Sequence, residues 1–567
     1  MAQSLLNMVI TGPRKLAGRF PILIPIVVVV VLLAPFLRRA FGMDDPLFIW
    51  PALQILKHPL DPYGFTANWE FLSACPFYAQ TQSPPLNSYF IAGVIRLIGL
   101  SELRLHLAFL LPAIGVASGT FLLARRFCAR PVGAALAGIL TPAFLVSGST
   151  VMCDMLMLAF WVWAVVFWLK GMDEKRPWML VLSGVLITLS ALTKFYGIVL
   201  IPLMIAHFLL SKRKPGWGIL YFLIPVLALV AYQYWTKSLY GKGLLMGTIG
   251  FAGKFQSVPA VVIIPKMVVG LSFTGGCIAS MIFLGPLLWT RKQLAGWLGL
   301  GAIVALLFAI PGIPGSGMGC RIILTGHDRW ILALHMGAFV AAGASLLTLA
   351  AKDLAATRDA DSALLFLWTA GAFVFATVFN WTVNGRAILA MAPVAGILMM
   401  RQIERRGSEK PSASPSFALP WVLSALLALT VARADYQFVN SERDVAFAIH
   451  QLPTEGTTWF AGHWGFQYYM ERLGAKPYDE NSTIYRLGDL LVIPANNACW
   501  GEPPAGTSGT TGEFPGPRWL STMNRSRQTA FHASMWGPIP YGFGLTAPEI
   551  YYLVPVDEMN IDLLTNR

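Results

Sequence analysis

Runs of roughly 20 apolar residues, the length a helix needs to cross a hydrocarbon core about 30 Å thick, recur from Phe20 to about Arg433 with short polar loops between them. The first run, Pro21 to Leu37, has no small-residue cleavage pattern and is followed by Arg38 and Arg39, so it reads as a retained helix rather than a signal peptide. The stretch from Pro84 to Gly99 is apolar, but it is only about 16 residues long and contains Asn87 and Arg96, which predicts a helix packed at the membrane interface or partly inserted. With that segment kept out of the span count, the basic clusters fall on one side of the membrane. Arg14, Lys15 and Arg19 precede the first span, and later spans return to Arg125 and Arg126, Lys175 and Arg176, Lys212 to Lys214, Arg291 and Lys292, Lys352 and Arg358, and Arg401 to Arg406. By the positive-inside rule the N-terminus is then cytoplasmic, and residues 1–433 form a polytopic α-helical membrane domain of about 13 transmembrane helices, with residues 38–102 as an outer loop carrying interface helices.

After Arg433 the pattern changes. Residues 434–567 have ordinary polar content and alternate short signals: helix-like at 441–451 and 464–473, strand-like at 457–462, 489–494 and 550–556, with Gly/Pro/Thr-rich loops between. This predicts a small C-terminal α/β domain on the outer, extracytoplasmic face. A second Gly/Pro-rich outer loop, Pro311 to Gly319, runs on to Arg321, His327 and Asp328. The chain shows no internal repeat.

Composition agrees with this partition. Of 567 residues 56% are hydrophobic and 12% charged, about half the charged share of an ordinary soluble protein, which excludes a soluble globular enzyme; 35 Phe, 19 Trp and 16 Tyr exclude intrinsic disorder. The net charge of +14 is spread through short loops and reports orientation, not a nucleic-acid surface. The six Cys, at 75, 128, 153, 277, 320 and 499, include no CxxC pair and so no zinc or redox framework; one disulfide among Cys75, Cys320 and Cys499 on the outer side is compatible with the topology.

Candidate chemistry gathers at the outer ends of the spans. Asp44 and Asp45 follow the first span in Gly42-Met43-Asp44-Asp45-Pro46, and Asp154 stands alone among apolar neighbours at the mouth of the next outer loop. A carboxylate there can take a proton from an acceptor hydroxyl or amine as it attacks a sugar carbon. A sugar on a polyprenyl phosphate supplies its own leaving group, and the cationic candidates to hold that phosphate are Lys194, Arg386, Arg321 and His327. Trp464 and Tyr468, in an aromatic cluster of the C-terminal domain, are candidate sugar or acceptor contacts, against the alternative of core packing. Paired carboxylates suit Mg²⁺ or Mn²⁺, and nothing in the sequence demands a metal.

The order of these parts over residues 1–433 resembles the GT-C glycosyltransferases of the protein O-mannosyltransferase and aminoarabinose lipid A transferase (ArnT-like) type. Asp44-Asp45-Pro-Leu-Phe resembles that family's acidic pair after the first span, His58-Pro-Leu-Asp-Pro-Tyr63 its following loop, and Ser83-Pro84-Pro85-Leu86 the start of its interface helix. Arg104-Leu-His-Leu-Ala and Leu123-Ala-Arg-Arg126 fit its second span, Asp154 its second outer-loop acid, Leu192-Thr193-Lys194 its Leu-Thr-Lys motif, and Gly385-Arg386 to Pro393 its late Arg-Pro span. The resemblance implies that Asp44 is the catalytic base, that Asp154 organises donor or acceptor, and that Lys194 and Arg386 lie near the lipid phosphate. Asp45 stands where Glu is common, and Ser83 where some members place Lys or His.

The expectation is an inverting glycosyltransferase of a bacterial inner membrane, which moves a sugar from a polyprenyl-phosphate donor to an envelope acceptor. The alternative is a transporter or flippase of a lipid-linked or polysaccharide intermediate. Transporters place ionisable groups near the bilayer midplane, whereas here the acids sit at span ends.

Overall fold

The computed structural model describes residues 20–69, 73–81, 83–212, 217–256, 260–310, 326–409, 417–497 and 502–565. Eight of its helices are long and apolar enough to cross a membrane, or up to ten if each of two bent pairs counts as one span, fewer than the 13 spans that the hydropathy pattern predicts. The difference lies in short elements. Apolar helices at Leu23–Phe36, Pro177–Thr193 and Phe195–Ser211 occupy three predicted spans but fall below the length of the others. The stretch read as an interface helix is indeed a separate short helix, Leu86–Ile98.

In chain order the elements that position the site are α1 (Leu23–Leu33), α2 (Pro46–Lys57), α3 (Leu86–Ile98), α4 (Glu102–Phe127) and the bent pair α5 (Pro131–Ile139) and α6 (Pro142–Gly148). They continue with α7 (Cys153–Glu174), α8 (Pro177–Thr193), α9 (Gly326–Thr357), α10 (Ala392–Glu409) and α11 (Ala418–His450). Several starts are fixed locally: Ser101 caps α4, Thr141 caps α6, and Pro occupies the first turn of α2, α5, α6 and α8, where its missing N–H costs nothing. The α5–α6 bend of 67° follows from Thr141-Pro142, because the residue before a proline is pushed out of the helical region.

The helix α11 runs unbroken from Ala418 to His450, through the predicted domain boundary at residue 433, so the membrane body and the C-terminal domain share one rigid element. Beyond it lies a mixed five-stranded sheet of β1 (Thr458–Phe460), β2 (Lys476–Pro477), β3 (Leu490–Pro494), β4 (Thr510–Phe514) and β5 (Glu549–Pro555), in the order β2-β1-β3-β5-β4. Strand β1 is parallel to β2 and β3, and β5 is antiparallel to β3 and β4. The helix α12 (Trp464–Arg472) packs against this sheet and against α11.

This domain covers one end of the helical body, the capped end. The phenolic oxygen of Tyr469 accepts from the amide of Phe41 (2.9 Å) and donates to Glu102 (2.5 Å). Tyr541 donates to the Gly276 carbonyl (3.0 Å), and Asp328 pairs with Arg527. The other end of the bundle carries Arg126, Arg401 and Arg405 in ion pairs with Asp361, Asp173 and Asp353.

Candidate active site

At the capped end the backbone turns sharply after α1. Met43 takes φ 44°, a left-handed conformation that few non-glycine residues adopt. The turn separates the two adjacent acids. Asp45 is fully buried: its Oδ2 accepts from the Gly42 amide and its Oδ1 from the Val151 amide, both at 3.0 Å, and Arg39 stands 3.8 Å away. Burial pushes its carboxyl up to about 6, with Arg39 pulling the other way. Asp44, by contrast, is 29% exposed at its side chain and forms an ion pair of 2.7 Å with Arg386.

Val151 is held on both sides. Its amide donates to Asp45, and its carbonyl accepts from Asn87 Nδ2 of α3 at 3.0 Å. Three residues on, Asp154 lies in the first turn of α7, where the helix N-terminus favours an anion. Lys194 directly follows the C-terminus of α8, where a cation is favoured. The two meet at 2.5 Å, Asp154 only 1% exposed and Lys194 23%.

Arg386 lies in the short helix Gly385–Ile388, whose start Asn384 caps by accepting from the Ala387 amide at 2.8 Å. The C-terminal domain braces this segment: the Gly385 amide donates to the Phe531 carbonyl (2.7 Å), the Val383 amide to Ser534 Oγ (3.1 Å), and the Ser534 amide to the Val383 carbonyl (2.9 Å). A side chain at Gly385 would run into the Phe531 ring, so the close approach requires glycine. The guanidinium pairs with Asp44 and also acts electrostatically on Asp154. Four sequence-predicted residues thus form two acid–cation pairs, coupled through Arg386.

The remaining predicted residues sit elsewhere. Arg321, together with Cys320 and Cys499, lies outside the described residues. His327 is exposed in the first turn of α9, and among the described residues no ion pair joins it to Asp44 or Asp154. Trp464 and Tyr468 are 8% and 2% exposed. Trp464 packs on Trp536 (5.2 Å between rings) and Tyr468 edge-on to Phe41 (5.5 Å), so both rings serve the joint between domain and bundle rather than an open sugar face.

Sequence reasoning missed the hub of the site. Arg39, fully buried, donates to the Ser149 carbonyl (3.1 Å) and to Asp435 Oδ2 (2.8 Å) and faces Asp45, so it ties α1 to the loop before α7 and to α11. Asp435 in turn accepts from Thr522 Oγ1 (3.1 Å) and His532 Nε2 (3.0 Å) of the C-terminal domain. No signal in the sequence singles out this pair: Asp435 follows Arg433 in a stretch of ordinary polar content that also holds Glu442, Arg443 and Asp444. Among the described residues no group of three or more His, Cys, Asp or Glu side chains is placed to hold a metal ion, and each of the three predicted acids faces a cationic side chain.

No curated protein matches the chain. Among solved structures, ArnT from Cupriavidus metallidurans, bound to undecaprenyl phosphate and in the apo state, aligns with 16% identity over 84% of this chain and 93% of that one, at a TM-score of 0.41 in both cases. That score lies below the level at which a shared fold can be read. Residues 82–235 match the family model described as dolichyl-phosphate-mannose-protein mannosyltransferase. The matched stretch holds Asp154 and Lys194.

Proposed function

We propose that the protein transfers a sugar from a polyprenyl-phosphate donor to an envelope acceptor, a protein, lipid or glycan, on the outer face of the bacterial cytoplasmic membrane. The observation that carries this reading is the coupling of two acid–cation pairs, Asp44–Arg386 and Asp154–Lys194, at the capped end of the bundle. The match of residues 82–235 to the family model described as dolichyl-phosphate-mannose-protein mannosyltransferase supports it.

The pairs divide the labour by exposure. Asp154 is enclosed and keeps Lys194 in place, whereas Asp44 is the more open acid and the better placed to meet an acceptor. A donor phosphate competes with Asp44 for Arg386, because a phosphodiester and a carboxylate bind guanidinium in the same manner. Donor binding therefore frees Asp44 to act as base only once the sugar is in place. The acceptor hydroxyl or amine gives its proton to Asp44, and its oxygen or nitrogen bonds to the anomeric carbon from the face opposite the phosphate. The bond from that carbon to the phosphate oxygen breaks, and its electron pair leaves on the phosphate, where Lys194 and Arg386 stabilise the added charge. The configuration inverts. Mg²⁺ or Mn²⁺ enters this scheme only as an addition to the two cations, since the carboxylates are already charge-matched.

The transport reading has one structural footing, the bent pairs of 67° and 83°, since broken helices often line transport sites. Their break residues, Leu140 and Thr141 in one and Ile278 and Ala279 in the other, carry no ionisable group, and the Thr141 hydroxyl is spent on the Gly138 carbonyl. Transfer is therefore the reading adopted.

Asp44→Asn in lipid nanodiscs tests it, with undecaprenyl phosphate as binding probe and a pool of lipid-linked sugars plus envelope extract as substrates. The expected outcome is retained binding with release of carrier phosphate slowed by about 10²- to 10⁴-fold. Release at the wild-type rate would remove Asp44 as base. Intact lipid-linked sugar crossing the bilayer, with no release by either protein, would put transport in place of transfer.

A further inference from the structure

Among the polar atoms at the capped end that are buried without a hydrogen-bond partner are Asp154 Oδ2 on α7, Arg386 Nε on the segment before α10, and His532 Nδ1 on the C-terminal domain. An unpaired buried polar atom is costly, so several from separate segments at one place mark a spot where a polar ligand is bound. The first two belong to the site already described. His532 has no part in it so far.

The position of His532 is tightly set. Its ring is 4% exposed, its Nε2 donates to Asp435 Oδ1 at 3.0 Å, and that carboxylate is fixed in turn by Arg39 and Thr522. This bond orients the imidazole and leaves Nδ1 as its free atom, as a carboxylate does for a catalytic or metal-bound histidine. The preceding residue, Phe531, accepts the Gly385 amide at 2.7 Å, which places His532 one residue from the contact that braces Arg386. Its charge also acts on Asp154. It faces Asp435 from α11, with Arg39 behind that carboxylate, and Asp154 of α7 lies within its electrostatic reach.

Resting on the glycosyl-transfer reading above, we propose that His532 is a third phosphate-binding residue of this site, supplied by the C-terminal domain: as imidazolium, oriented by Asp435, it donates through Nδ1 to the phosphate that Lys194 and Arg386 hold. Lys194 and Arg386 are already engaged by Asp154 and Asp44, so a further donor that reaches the phosphate adds to what those two cations can give it. It also gives the C-terminal domain a direct part in donor binding.

The test uses the full chain in nanodiscs and the monomethyl ester of undecaprenyl phosphate as probe. This phosphodiester carries one charge, so at one pH a change in affinity between variants comes from the protein. His532→Gln is expected to bind about tenfold more weakly than the wild type. His532→Lys, which keeps a cation at this position, should bind close to the wild type, and it serves as the second variant if the glutamine protein does not fold. Lys194→Ala separates the two levels of the argument. If it binds the probe as the wild type does, the phosphate site itself is misplaced. If it loses binding while His532→Gln keeps wild-type affinity, the site stands and the role of His532 falls.

Discussion

The helix Cys153–Glu174 carries an acid near each end, and the two ends differ in kind. At its N-terminus Asp154 is 1% exposed, pairs with Lys194 and keeps one carboxylate oxygen without a partner. Near its C-terminus, about 30 Å away along a helix of this length, Asp173 is 55% exposed and pairs with Arg126, which also holds Asp361 at 2.9 Å. Both are acid–cation pairs between helix ends, and by sequence they look alike. At the basic end Asp173 and Arg126 meet water, so this pair only trims the geometry of loops, in contrast to Asp353 nearby, which is buried between Arg401 and Arg405. At the capped end the ions are shut away from water, so each charge is strong, must be matched, and can act on a substrate.

The hub of the capped end offers the largest test of that contrast. Replacing Arg39 with Met leaves Asp45 buried without a cation, Asp435 Oδ2 without its guanidinium, and the Ser149 carbonyl without its donor. Breaking a buried pair by removing one partner costs roughly 3–5 kcal/mol. Arg39→Met is expected to lower stability in a thermal unfolding assay by that amount. A loss below about 1 kcal/mol would mean that the capped end is solvated after all, and the contrast between the two ends would disappear.

Much of this site was legible before its geometry, because Asp44, Asp154, Lys194 and Arg386 each stand at the end of an apolar run, where a charge needs a reason. Their pairing was not legible. Which acid meets which cation depends on how helices distant in sequence cross, and hydropathy carries no trace of that. Arg39 reads in the sequence only as half of the basic pair that marks the first apolar run as a retained helix, and nothing there shows that it is buried. Adjacent Asp44 and Asp45 read as one feature, yet the left-handed turn at Met43 sends one to Arg386 and the other to the Val151 amide. His532 lay in a stretch with no spacing signal at all, and Trp464 and Tyr468 have a composition that suits sugar stacking and core packing equally. The span count differed because short apolar helices and full spans give the same hydropathy signal when loops between them are brief.

The joint between bundle and domain gives an intermediate test, read through pH. Burial pushes the Glu549 carboxyl of β5 up to about 7 from its ordinary 4.5, against a hydrogen bond from Asn496. The folded chain then keeps a proton that the unfolded chain releases above pH 4.5, so this stability is fully present below that value and is lost as the pH rises through about 7. The change is on the order of 3 kcal/mol across that span. Asp45, pushed to about 6, contributes with the same sign over a lower window. Thermal stability is expected to fall between pH 5.5 and 8, and Glu549→Gln to remove the part of the fall above pH 6. An unchanged profile in the variant would show that water reaches this joint and that only the acids nearer the substrate are enclosed.

The smallest effect belongs to the other end of the same helix. Asp173→Asn removes one exposed carboxylate from Arg126, which keeps Asp361, and leaves no buried charge behind. Exposed pairs of this type are worth about 0.2–1 kcal/mol, so the unfolding midpoint should shift by no more than a few degrees and carrier release should continue at the wild-type rate. The value of so small an effect is that it isolates position: Asp154 and Asp173 share a helix, a residue type and a cationic partner, and differ in burial and in what stands opposite them. Loss of transfer in Asp173→Asn would mean that the basic end communicates with the chemistry through the rigid helix, and burial would no longer be what separates a working acid from a solvated one.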